Sequence, residues 1–318
     1  MKPEPIYPRA LHVSGSVIEE FTEEDWDTIQ DDPRGLLLMW EPPQHGVKYI
    51  MGSDPTEGIT GWSRATRVPG DTKTDNGVIE VFQPNGTYEL LTKEVDGKKV
   101  PDIDPITNKP RRLYKDVQIA EFAAPCDAVE LARIANIIGR IYKGDEEDQC
   151  ELIWEAWPGP GLLMTQELLR LNYGNLWHWE YIDSVAEETN RLGWRSTRES
   201  QKALWYRSRR HLMGRHALIR SRFLLDEYSN AEIDMEKMRA RAAYGFHDDR
   251  FQAANMCFWA GHKWTYEVDS SHEQVTENLV QDYQRMAPSC SVSFEKGLEI
   301  GDSSYSSWKE KATEDWWE

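Results

Sequence analysis

Apolar runs too short for helices fill the first part of the chain, and helical periodicity takes over after residue 125. Gly35 to Trp40 (GLLLMW) reads as a first edge strand, and Tyr49, Ile50 and Met51 as a buried strand ended by Gly52, Pro55 and Gly58. VIEVFQ (78–83) and TYELLT (87–92), joined by Pro84-Asn85-Gly86, predict a β-hairpin, and VQIAEFAA (117–124) a third strand. Two polar stretches, 59–76 and 96–115, read as loops; the second carries its own Asp-Gly turn and a Lys109–Arg112 basic run. Val129, Ala132, Ile134, Ile137, Ile138 and Ile141 recur at spacings of three and four, which predicts a helix over Ala128–Tyr142, capped by Asp127 and stopped near Gly144.

The second half continues the alternation. CELIWEA (150–156) is a buried strand broken by PGPG, LLMTQELLRLNY (162–173) a helix, and LWHWEYI (176–182) the next strand. Thr197 to Tyr228 reads as one long helix, and Phe251, Ala254, Phe258 and Trp259 give a last helix opened by Asp248 and Asp249. Strand and helix in this order predict an α/β fold, with a mixed sheet, antiparallel in one half and parallel in the other, and helices on both faces. Three segments are expected: an acidic N-terminal arm (1–34), a central domain (35–264) and an acidic, Trp-containing tail (265–318).

Charge narrows the function. The formal net charge is −18, so no global cationic field draws the chain to nucleic acid or to a membrane surface. From Arg191 to Arg222, however, ten bases stand against one acid, Glu199, a local +9. Arg195, Arg198, Lys202, Arg207, Arg209, Arg210 and Arg215 could lay a stripe along a phosphate backbone. The alternative is a solvated helix paired with the acidic ends of the same chain. The four cysteines, Cys126, Cys150, Cys257 and Cys290, are far apart and suggest no disulfide framework, as in a reducing cytosol. No apolar run reaches the roughly 18 residues of a membrane helix. His211 and His216 lie five apart, the wrong spacing for a shared zinc site on one helix, and His247 beside the Asp pair reads as a structural or water-orienting residue, with direct ligation the alternative.

Three acidic sites share one setting. Asp54 ends one apolar strand, Glu155 ends another in LIWEAWPGPG, and Asp248–Asp249 open a helix after GFH. If both strands are central neighbours, their carboxylates converge at one end of the sheet. Crowded carboxylates repel unless cations neutralise them, and hard divalent ions such as Mg²⁺ or Mn²⁺ prefer all-oxygen sites. Two such ions activate water and stabilise a leaving oxygen in phosphodiester hydrolysis. For Asp54 alone, the competing reading is an ordinary turn aspartate beside Pro and Gly.

The run WEPPQHGVKYIMGSDPTEG, then IWEAWPGPG, then GFHDDRFQAANMCFWA, resembles the nuclease domain of the phage DNA-packaging terminase large subunit over roughly residues 35–264. That resemblance implies an RNase H-like fold and a metal-dependent endonuclease that cuts concatemeric double-stranded DNA in the host cytoplasm. It implies Asp54, Glu155 and the Asp248–Asp249 pair as ligands of two ions, with Asp75 as an additional acid near them. It further implies an ATPase motor, a small terminase subunit and a portal as partners. The sequence departs from the family in the residues inserted at 59–74 and in Ala156-Trp157, where the glycine turn usually carries Asn. It holds no GxxxxGK[ST] phosphate loop, so any ATP-driven step is expected of a motor outside this chain. A junction resolvase of the same fold, or a non-catalytic structural subunit of a phage assembly, are the other readings.

Overall fold

The computed structural model describes residues 9–11, 36–56, 76–143, 149–157, 159–181, 189–234, 239–243, 247–265, 292–293 and 299–300. The chain divides into two compact units, one of residues 1–178 and 192–265, the other of 179–191 and 266–318. In chain order the elements begin with β1 (Arg9–Leu11), β2 (Leu37–Met39), β3 (Ile50–Asp54), β4 (Gly77–Leu90), β5 (Thr92–Val95), β6 (Lys98–Pro101) and β7 (Arg112–Ala124). Then come α1 (Ala128–Ile141), β8 (Glu151–Trp157), α2 (Pro160–Arg170), β9 (His178–Tyr181), β10 (Thr189–Leu192) and β11 (Trp194–Arg195). The rest are α3 (Arg198–Met213), β12 (Ala217–Leu218), α4 (Arg222–Ser229), β13 (Ala231–Asp234), β14 (Arg239–Ala242), α5 (Asp249–Thr265), β15 (Val292–Ser293) and β16 (Glu299–Ile300).

The main sheet runs β1-β2-β7-β4-β3-β8-β11, with β12 added to β7. Neighbours from β1 to β3 are antiparallel, whereas β3–β8 and β8–β11 are parallel. Numbered from β3, the central five strands stand in the order 3-2-1-4-5, an RNase H-like mixed sheet. Both faces are covered. Tyr49, Met51, Ile79, Val81, Leu152 and Trp154 share a core with the buried side of α1 and α2. Asp127 caps α1 by accepting from Val129 and Glu130 N–H, and Tyr142 edges onto Tyr49 with ring centres 5.1 Å apart. On the opposite face α5 crosses β3 and β4, with Phe258 against Phe82 at 5.0 Å. Its approach requires Gly52: a Cβ there would lie 2.1 Å from the Ala253 carbonyl oxygen.

Several expectations are corrected. Pro84-Asn85-Gly86 is no hairpin turn; β4 continues through it as one strand. β4 advances from Gln83 to Thr87 while β7 advances only from Val117 to Lys115, so the extra residues bulge. Asn85 takes the left-handed conformation (φ 53°) and donates its N–H to Asp116 Oδ1 at 2.9 Å. The reversal falls at Asp96-Gly97, both with positive φ, between β5 and β6. The long helix is two, α3 and α4. Gly214 caps α3, Arg215 turns at φ 62°, and β12 pairs with β7 before Ser221 starts α4. LWHWEYI bridges β8 at Leu176–Leu152 and pairs, as β9, with β10; β11 takes the place beside β8. β2 is not an edge strand, because Arg9–Leu11, in the expected arm, pairs outside it. Among the described residues no helix is long and apolar enough to cross a membrane. Cys126, Cys150 and Cys257 are buried free thiols, and burial pushes the first two up to about 12. Cys290, most of the Trp-containing tail and most of the acidic arm lie outside the described residues.

Candidate functional site

Parallel register places the first two acids side by side. Ser53 faces Trp154 across β3 and β8, so Asp54 and Glu155 follow at the same level. Trp154 fixes β8 against α2 through its indole N–H, which donates to Thr165 Oγ1 at 3.0 Å. Gly161 lets α2 start directly behind: a Cβ there would lie 1.9 Å from the Glu155 carbonyl oxygen. The alternation that turns Trp154 towards α2 turns Glu155 the other way, to the α5 face, where Asp54 also lies.

Helix α5 supplies the remaining acids. Asp248 precedes its first turn, its carbonyl accepting from Gln252 N–H at 3.0 Å and its Oδ2 from Ala242 N–H at 3.2 Å. Asp249 Oδ2 accepts from Asn76 N–H at 3.1 Å, just ahead of β4. His247 Nδ1 stands 3.6 Å from the same oxygen. The other three carboxylates act on Asp54. Burial pushes the Asp54 carboxyl well above its ordinary range, and the charges of Glu155, Asp249 and Asp248 push it further, with Glu155 within hydrogen-bonding reach. The structure therefore brings Asp54, Glu155, Asp248 and Asp249 together; Asp75 lies outside the described residues.

Among the described residues no three acidic, histidine or cysteine side chains close as a finished ligand shell. Asp54 instead leans on Glu155, and Asp248 and Asp249 on backbone amides. The donor set still fits hard divalent cations: all oxygen, crowded, and relieved of mutual repulsion only by a proton or a cation.

The basic stripe is less uniform than its sequence. Trp194 is the register partner of Glu155, so Arg195 and the start of α3 stand next to the acidic rim. Arg207 lies flat over Trp259 of α5 at 4.5 Å. Arg215 is engaged by Glu89 at 2.6 and 2.8 Å, together with Lys115. Arg198 and Arg209 are exposed, and Lys202 and Arg210 partly buried. Of the histidines, His211 stacks on Phe258 at 4.6 Å and reaches Asp116 at 3.2 Å, which makes it a packing residue.

A second acidic cluster, deeper under α5, escaped the sequence reading. Glu80 and Glu121 face each other across β4 and β7, both buried. Burial, then the Glu121 charge, raises the Glu80 carboxyl well above its ordinary value, while Gln118 Nε2 donates to it at 2.7 Å. Arg250 Nε donates to Glu121 Oε1 at 3.1 Å, and its Nη1 to Glu227 Oε1 at 2.9 Å. The signal was present as one charge inside each apolar strand, VIEVF and QIAEF.

Fold and centre together define an RNase H-like domain with a carboxylate-rimmed sheet. In structure the chain is similar to the large terminase nuclease from thermophilic phage G20c, with TM-score 0.44 and 12% identity over 72% of this chain and 90% of that one. The same nuclease with bound magnesium gives 0.45 and 12%, over 72% and 89%. The large terminase nuclease domain of Thermus phage P74-26 gives 0.43 and 11%, over 71% and 86%. No protein-family model and no curated protein matches the sequence.

Proposed function

We propose that this chain is the nuclease of a viral DNA-packaging terminase, a divalent-metal-dependent endonuclease acting on concatemeric double-stranded DNA in the host cytoplasm. The observation that carries the reading is the convergence of Asp54 and Glu155 with Asp248 and Asp249 at one rim of the sheet. These four, with Asp75, would hold two Mg²⁺ or Mn²⁺ ions. Such ions, when bound, supply an activated water and charge stabilisation at the leaving oxygen. The chain's own contribution is placement. β3 and β8 fix the first two carboxylates in register, and α5 brings the other pair against them. Arg195, beside the Glu155 strand, and the bases of α3 would hold the phosphate backbone, reading no sequence. Motor, small subunit and portal are the proposed partners, with translocation assigned to the motor.

Supercoiled plasmid tests this directly. Cleavage is expected with Mn²⁺ or Mg²⁺, none with EDTA, and none from Asp54→Ala or Glu155→Ala. Activity that ignores EDTA or survives both substitutions overturns the mechanism. A strong preference for four-way junctions over linear duplex would replace the terminase reading with a resolvase.

A further inference from the structure

The first turn of α5 is capped from outside. A helix leaves its first N–H groups unpaired, and the residue before the helix usually accepts from them with its own side chain. Asp248 holds that position, and Asp is among the best residues for it. Its carboxylate goes elsewhere, to Ala242 N–H and towards Asp54. The orphaned donors are met by Glu227 of α4: its Oε2 accepts from Arg250 N–H at 2.8 Å and from Phe251 N–H at 3.2 Å. Its Oε1 accepts from the Arg250 guanidinium, which reaches on to Glu121 in β7. Next along α4, Tyr228 stacks on Phe251 at 5.7 Å and donates to Asn255 Oδ1 at 2.8 Å. One buried carboxylate thus ties the start of α5 to both α4 and the sheet.

We infer that Glu227 is a positioning residue for the rim centre: it caps α5 in place of Asp248, leaving the carboxylates of Asp248 and Asp249 to face Asp54. This rests on the proposal that the rim binds divalent cations. Without Glu227, the local solution for two unpaired amides is the Asp248 side chain one turn back, which would withdraw an oxygen donor from the rim. Outer partners of metal ligands generally act in this way, by fixing where the ligands point.

The test is Mn²⁺ binding to the full chain by calorimetry, without DNA, alongside thermal melting in EDTA. Glu227→Ala is expected to weaken Mn²⁺ binding about 10- to 100-fold, the range for outer-sphere partners. Glu227→Gln keeps an oxygen acceptor for the two amides and is expected to recover most of the loss. A purely structural role would lower the melting temperature of Glu227→Ala while leaving Mn²⁺ affinity of the folded protein at the wild-type value; that result overturns the inference. If Glu227→Ala does not fold, Glu227→Asp decides. It keeps the charge but draws it back one methylene, and wild-type affinity there overturns the inference equally. Asp54→Asn separates the two levels. Binding unaffected by Asp54→Asn removes the metal reading, and this inference with it. Binding lost in Asp54→Asn but retained in the Glu227 variants removes the inference alone.

Discussion

Two groups of acids flank the same helix, and they are treated in opposite ways. Under α5, Glu80, Glu121 and Glu227 meet Arg250 and Gln118, so the chain supplies its own cation and amide. At the rim, Asp54 is acted on by Glu155, Asp249 and Asp248, while the Asn76 and Ala242 amides donate to Asp249 and Asp248 and His247 stands beside Asp249. The inner group holds a guanidinium and an amide of its own within the fold. Burial and the neighbouring acids raise the Asp54 carboxyl at the rim, and a divalent ion is the proposed relief. Carboxylate crowding by itself therefore does not mark a metal site. The two groups differ in what the described residues bring to them: Arg250 and Gln118 reach the inner acids, whereas Asp54, at the end of β3, meets Glu155, Asp248 and Asp249.

The largest expected effect breaks the rim. A bound metal contributes several kcal/mol of charge stabilisation, and about 1.4 kcal/mol is a factor of ten in rate. Asp54→Ala or Glu155→Ala should therefore lower Mn²⁺-dependent plasmid cleavage by about a hundredfold or more. The same change should act on the apo fold in the other direction. Asp54→Asn removes one of four mutually repelling groups, so its melting temperature in EDTA should rise above that of the wild type. A drop there would place the rim with the inner cluster, as a structural network.

Breaking the inner cluster should do the reverse. Arg250 is 17% exposed and Glu121 only 2%, so Arg250→Met leaves uncompensated carboxylates in the interior. Removing one partner of a buried pair costs about 3–5 kcal/mol. Denaturant unfolding should show a loss of that order, partly recovered when Glu121→Gln is added. Full stability in Arg250→Met would mean that a shared proton, not the guanidinium, neutralises this cluster.

How far the sequence exposed these features follows from the range of the interactions involved. The Asp127 cap and the α1 stripe are local patterns and stand where the residues suggested; Asp54 does end β3, but β8 runs two residues past Glu155. The bulge at Pro84-Asn85-Gly86 looks like a hairpin turn because its deciding partner, Asp116, is thirty-one residues away. The break between α3 and α4 depends on β12 pairing with β7, since the bases on either side keep helical character. Two-residue β11 is too short for any periodicity; it exists through its pairing with β8, with Trp194 packed edge-on against Trp259 at 5.0 Å. Glu80, Glu121 and Glu227 read as single charges until the fold brings them to Arg250.

A smaller effect sharpens the account of the inner pair. Burial and Glu121 raise Glu80 above the ordinary glutamate value of 4.5. As pH rises past 4.5 the unfolded chain ionises at this position first, so folding stability falls until the folded carboxyl has also ionised. Glu80→Gln has no proton to lose. Its melting temperature should match the wild type in acid and exceed it increasingly towards alkaline pH. Parallel curves would assign the proton of the pair to Glu121.

The smallest expected effect compares bases within the cationic window. Arg207 carries its guanidinium on Trp259, so Arg207→Ala would remove packing together with charge. Arg215 is already bridged to Glu89, so Arg215→Ala should barely change DNA affinity. Arg209 is exposed on α3 and gives the cleaner test. Each phosphate contact adds about 0.9 to the slope of log affinity against log salt. Arg209→Ala, measured on linear duplex in EDTA so that nothing is cut, should flatten that slope by about one and weaken all sequences alike. A change confined to particular sequences would mean that α3 touches bases. An unchanged slope would move the backbone contact from the exposed side of α3 to the Arg195 end beside the rim.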